Sequence, residues 1–195
     1  MRQAMGHILQ QKGVICRIMK RKYTPTANLK DYISESLMLL MQKKSFVNIS
    51  VGEITDKAGV NRSSYYRNFN SKNELVKHYY NKIIFEHIKN IKPKKEITLK
   101  DYLLIMFSHF YQYKKELLLI HKNNLSILIL EALNETFTAV AEKNSFEERF
   151  RIYYHTGGIY NIFLLWFADD MRKSPERMTE LSVSILPKDF RPLLL

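Results

Sequence analysis

Residues 46–75 read FVNISVGEITDKAGVNRSSYYRNFNSKNEL, and the order of residue types in this stretch decides the fold. Ser50 stands three residues before Glu53, so its hydroxyl can accept from a first-turn amide while the acid reaches back to the helix start. A short run from Val51 to Ala58 follows and meets Gly59, the residue that turns most cheaply into the left-handed region. A second short helix opens at Asn61 and covers Arg62 to Asn68. Ser71 and Glu74 then repeat the capping pattern before a longer helix, Lys72 to Ile91, which stops near Pro93. Two short helices across a glycine-containing turn make a helix-turn-helix, whose second helix can be presented to a DNA major groove.

Helical geometry tests that reading. At about 100° per residue, Tyr65 and Phe69 share one face, suited to packing on the first and the long helices. Ser63 and Arg67 point the opposite way, flanked by Arg62, Ser64 and Tyr66. The outward face is small, cationic and hydroxylic, as a groove-reading surface should be. A merely solvated Arg67 fits the same spacing. Tyr66, a large aromatic on an outward flank, has less reason to be there without a contact.

Working outward, three more starts are spaced like Ser50 and Ser71: Thr98 with Asp101, Ser145 with Glu148, and Ser174 followed by Pro175 and Glu176. The apolar spacing is helical throughout and nothing alternates with period two, so the chain reads as all-α. A first helix runs from about Asn28 to Lys44, with Leu29, Ile33, Ser36, Leu37, Leu40 and Met41 as its buried stripe. Beyond a charged, proline-broken boundary at 92–96 (KPKKE), helices fall near Leu99–Lys114, Leu117–His121, Leu125–Lys143, Phe146–Asp170 and Pro175–Ile185. The expected architecture is a three-helix DNA-binding domain at 25–75, joined by a long helix to a helical dimerisation and ligand domain at 76–195. Residues 1–24 are an extension whose basic run, Lys20 to Lys22, suits either an arm along phosphates or a mobile leader.

Charge follows the same division. The 195 residues carry a formal +12. Residues 1–92 hold 17 basic and 6 acidic side chains, and residues 93–195 hold 14 and 13, so the excess sits in the first half. A polyanionic partner is implied for that half alone. The single cysteine, Cys16, cannot form an internal disulfide, which points to a reducing cytoplasm. The longest apolar run, Ile162 to Ala168, is far too short for a membrane span. The histidines show no metal-binding spacing and no glycine-rich phosphate loop occurs. Neither an enzyme, a metal nor a cofactor is expected.

The stretch around the quoted residues resembles the TetR/AcrR family of bacterial regulators. The resemblance rests on Phe46, Ile49 and Ile54, the Ala58-Gly59-Val60 turn, Ser64-Tyr65-Tyr66, Phe69, and the Ser71-Lys72-x-Glu74-Leu75 helix opening. It covers Asn28 to Leu75 closely. Thr55 departs from it, standing where the family usually carries alanine. The resemblance implies DNA binding by a two-fold dimer on a double-stranded operator. It further implies that Tyr66 and Lys72 hold phosphates, that Ser50 caps a helix near the backbone, and that Arg62, Ser63 and Arg67 approach base edges.

The near-neutral half reads as a core-building and sensing domain. Its helix near Leu99 is apolar nearly all round, which suits either plain packing or the wall of a cavity. In the resembled family a comparable cavity holds an inducing small molecule, and Met106, Phe107, Phe110, His121, Tyr154 and His155 are the candidates here. Gly157 and Gly158 cost a helix about 1 kcal/mol each against alanine, so a close backbone approach or a kink is expected there. The last two helices are expected to pair with their symmetry mates in a homodimer.

Overall fold

The computed structural model describes residues 25–91, 97–140 and 145–186, with the side chains of 25–28 and 140 excepted. Cys16, the Lys20 to Lys22 run and the 92–96 boundary lie outside the described residues. Among the described residues the structure is nine α-helices and a 3-10 turn, without a strand. The helices are α1 (Pro25–Met41), α2 (Val51–Ala58), α3 (Arg62–Asn68), α4 (Lys72–Ile91), α5 (Leu99–Gln112), α6 (Lys114–Lys122), α7 (Ile127–Val140), α8 (Phe146–Ala168) and α9 (Pro175–Ile185); the 3-10 turn is Phe46–Asn48.

Local chemistry explains most of the boundaries. Ser50 with Glu53 and Thr98 with Asp101 form complete capping boxes. Ser145 and Ser174 accept from the amides of Glu148 and Arg177 at 3.3 Å. At α4 the box is altered. Ser71 accepts from the Glu74 amide, but the Glu74 carboxylate binds the backbone and side-chain amides of Asn70 at 2.9 and 3.0 Å. The α6–α7 region departs most from expectation. α6 begins at Lys114, directly after Tyr113, and α7 begins only at Ile127. Asn124 is left-handed at φ 59°, and the Leu125 amide folds back to the Ile120 carbonyl, so Leu125 ends a turn instead of opening a helix.

The first three helices and the start of α4 enclose their own core. Ile33, Leu37, Ile54, Tyr65, Phe69 and Leu75 are each at most 3% exposed, and a buried Leu or Ile contributes about 1.5–3 kcal/mol. Thr55 is accommodated: it is buried, and its hydroxyl donates to the Gly52 carbonyl at 2.8 Å. α4 continues into the second half, packing on α1, α5 and α7. His78 meets Asp31 at 2.7 Å and Lys82 meets Glu35 at 2.6 Å across α1, while Lys77 meets Glu135 at 2.7 Å across α7. Half-exposed pairs of this kind contribute at most about 1 kcal/mol each, so they fix register more than they stabilise.

An aromatic cluster joins α5 to α8. Phe110 and Phe163 lie 4.5 Å apart between ring centroids, Phe107 and Trp166 5.5 Å, and the Trp166 indole N–H donates to the Lys173 carbonyl at 3.0 Å. α9 covers α5. Gly157 and Gly158 sit inside the unbroken α8, and a Cβ at either would meet nothing within 4 Å, so packing among the described residues does not require a glycine there. No helix among the described residues is long and apolar enough to cross a membrane.

Candidate nucleic-acid interface

The helix-turn-helix is built by local bonds. Gly59 adopts φ 66° at the end of α2, where a side chain would be strained, and the Val60 amide closes the turn on the Thr55 carbonyl at 3.0 Å. Asn61 caps α3 by accepting the Ser64 amide at 2.7 Å. Asn68 donates back to the Ser64 carbonyl at 2.8 Å, so the short helix is tied at both ends by asparagine.

This fixes which face of α3 is free. Tyr65 is 1% exposed and Phe69 3%, and both face inward as their spacing requires. Ser63, Arg67 and Arg62 are exposed and Ser64 is half-buried. Tyr66 is 60% exposed, with its ring edge-on to Tyr65 at 5.1 Å, so its hydroxyl is carried outward on a packed base. Ser50, Arg62, Ser63, Tyr66 and Arg67 therefore share solvent access within the helix-turn-helix.

Two residues differ from a simple contact role. Ser50 is occupied by its cap: its hydroxyl accepts the Glu53 amide at 3.2 Å and donates to the Glu53 carboxylate at 2.8 Å. The Lys44 ammonium beside it, followed by the Ser50 bonds, holds the Glu53 carboxyl down at about 2. Lys72 is the larger surprise. Its ammonium donates to the Phe46 carbonyl at 2.8 Å and the Ile49 carbonyl at 2.7 Å, and lies 4.6 Å from the centre of the Phe46 ring. Burial, then the Lys44 charge, holds it below the ordinary lysine value. Two of its three donors fasten the 3-10 turn to α4.

The second half does not gather the six residues nominated for a small molecule. Phe107 and Phe110 are spent on the aromatic cluster, and Met106 is buried at 5% exposure. His121 binds the Ser126 hydroxyl through Nδ1 at 2.9 Å and packs on Phe167. His155 is half-buried and Tyr154 is 73% exposed. A shallow pocket of about 230 Å³ on α4 and α5 is lined by Asn90, Leu104, Ile105, Ser108, His109 and Gln112, and by none of those six. Sequence reasoning places Leu104, Ile105 and His109 on the helix read as a possible cavity wall and passes over Asn90, Ser108 and Gln112, which stand beside core positions on their helices. It also missed the capping role of Asn61, although an asparagine directly ahead of a helical run signals it.

No curated protein matches the chain. A family model described as "Bacterial regulatory proteins, tetR family" matches residues 35–79, from the middle of α1 through the helix-turn-helix into α4. The match coincides with the elements that expose Tyr66 and Arg67 on the free face of α3: residues 35–79 form a DNA-binding domain of the tetR family of bacterial regulatory proteins, and the chain is a DNA-binding transcriptional regulator.

Proposed function

We propose that the chain acts as a cytoplasmic dimeric repressor, holding a roughly palindromic operator and leaving it when a small molecule reaches the second half. One observation carries the DNA-contact part. Tyr65 and the C-capping Phe69 are buried while Ser63, Tyr66 and Arg67 remain exposed on the seven-residue α3, so α3 enters the major groove with Arg67 and Ser63 towards base edges and Tyr66 towards a phosphate.

The proposed dimer is supported by α8. Phe150, Tyr154, Asn161 and Leu165 are exposed at spacings of four and seven residues, with Gly157 and Gly158 open between them, and Ile185 is 74% exposed on α9. A largely apolar stripe of this length, with glycines at its centre where an added Cβ would meet nothing described within 4 Å, suits a second copy of α8 across a two-fold axis. Release is then a coupling between sites. A ligand that favours mis-spaced reading heads weakens DNA binding by the factor by which DNA weakens the ligand. The dense packing of α5 on α8 favours a second reading, an adaptor that uses this fold to bind a protein partner.

Selection of bound fragments from genomic DNA, followed by release assays with compounds related to the neighbouring genes, tests the proposal. An enriched palindrome supports it. No enriched fragment leaves the adaptor reading.

A further inference from the structure

Gly52 occupies the second position of α2 in ordinary helical conformation, because Gly59 is the one glycine with positive φ among the described residues. The backbone at 52 therefore does not require glycine, which costs helix stability against alanine. What distinguishes the position is Arg62. A Cβ at residue 52 would stand 2.8 Å from Nη2 of Arg62, closer than real Cβ contacts allow, and 3.7 Å from its Cζ. The guanidinium has folded back from the first residue of α3 onto the first turn of α2, into space that any side chain would fill.

Arg62 is exposed and forms no ion pair among the described residues. Glu53, the acid on that turn, is engaged by Lys44 and Ser50. Five residues separate Arg62 from Arg67, about 140° around a helix, so the two arginines do not read from the same face. In a helix-turn-helix the first helix crosses the nucleic-acid backbone while the second lies in the groove. A guanidinium resting on the first helix is thus placed at the groove edge, where phosphates run.

We propose that Gly52 is a positioning residue for DNA binding: lacking a side chain, it seats the Arg62 guanidinium on α2, and Arg62 meets a backbone phosphate from that seat instead of reading a base. The inference rests on the DNA-binding reading above and revises the base-edge role implied for Arg62 by family resemblance.

The test is a double-mutant cycle on the full chain, with the duplex recovered from genomic selection and affinity measured across a salt series. Arg62→Ala should weaken binding about tenfold, as loss of one charge-assisted hydrogen bond does. It should also make the salt dependence shallower by about one unit of slope, with an unchanged selected consensus. Gly52→Ala, and Gly52→Ser as a second variant carrying the same Cβ, should weaken binding several-fold without lowering the thermal midpoint, because only the tip of a flexible side chain must move. In the Arg62→Ala background neither should weaken it further. Wild-type affinity in both Gly52 variants, an undiminished Gly52 effect without Arg62, or an altered base preference in Arg62→Ala would overturn the inference. If the wild type itself selects no duplex, the DNA-binding reading fails first and this inference with it.

Discussion

Lys72→Met separates two roles that a single lysine can hold. Methionine keeps an unbranched side chain one atom shorter and removes the charge. The variant loses two hydrogen bonds from an ammonium to the carbonyls of Phe46 and Ile49, at 2.8 and 2.7 Å. Such bonds contribute about 1.5–3 kcal/mol when fully shielded. Lys72 is half-buried, so about 1 kcal/mol each is the appropriate end. The ammonium over the Phe46 ring adds about 0.5 kcal/mol. Against this, Lys72 is the first residue of α4, where a positive charge opposes the helix dipole by about 0.3–1 kcal/mol, and its removal returns that amount. The net loss is about 2 kcal/mol, equivalent to a melting point lower by about 4–8 °C for a chain of this size. Urea titration followed by circular dichroism should show an earlier midpoint with an unchanged slope. DNA affinity should fall as well, since the turn that Lys72 holds leads directly into the Ser50 cap. Stability within about 0.5 kcal/mol of wild type, with operator binding lost, would refute the anchoring role and leave Lys72 a phosphate contact alone.

Tyr66→Phe should weaken operator binding by about 1 kcal/mol, almost independently of sequence; undiminished affinity in a gel-shift titration removes it from the interface. Arg67→Ala should relax preference at one base position by about 1–3 kcal/mol, visible as a changed consensus on selection from random DNA. Leu165→Glu, at a position 71% exposed on α8, should convert a dimer into a monomer in light scattering at micromolar concentration, whereas a monomeric wild type disproves the interface. Burial, and then the neighbouring His109, pushes the buried His87 from its ordinary 6.5 down to about 3. The unfolded chain takes up that proton first, so this contribution is whole above pH 6.5 and is lost as pH falls towards 3. Replacing His87 with Leu should flatten that part of the stability profile, and an equally steep profile in the variant assigns the acid sensitivity elsewhere.

The parts of the molecule legible in the sequence are those whose causes are local. α2, α3 and α4 begin and end where Ser50, Gly59, Asn61 and Ser71 place them, because a cap bonds to amides three residues away and a left-handed turn needs only its own glycine. Lys72 escaped because its acceptors lie 26 and 23 residues earlier, and no spacing rule links a lysine to the carbonyls of a preceding turn. Gly52 escaped for the same reason, since the atom that makes it matter belongs to a residue on the next helix.

The second half was harder to read because α8 is apolar on two faces. Ile152, Phe163, Trp166 and Phe167 go to the core, while Phe150, Tyr154 and Leu165 remain outside. Composition cannot assign such residues to core, ligand wall or partner surface. Tyr154 and Phe110 look equivalent as aromatic candidates, yet one is 73% and the other 2% exposed. The packing on α5 breaks that equivalence by fixing the rotation of α8. Once Phe163 is turned onto Phe110, residues at 150, 154, 161 and 165 must face away. The glycines at 157 and 158, costly to a lone helix, then lie in the middle of that outward stripe, where the proposed second copy of α8 would supply the compensation that the described residues do not.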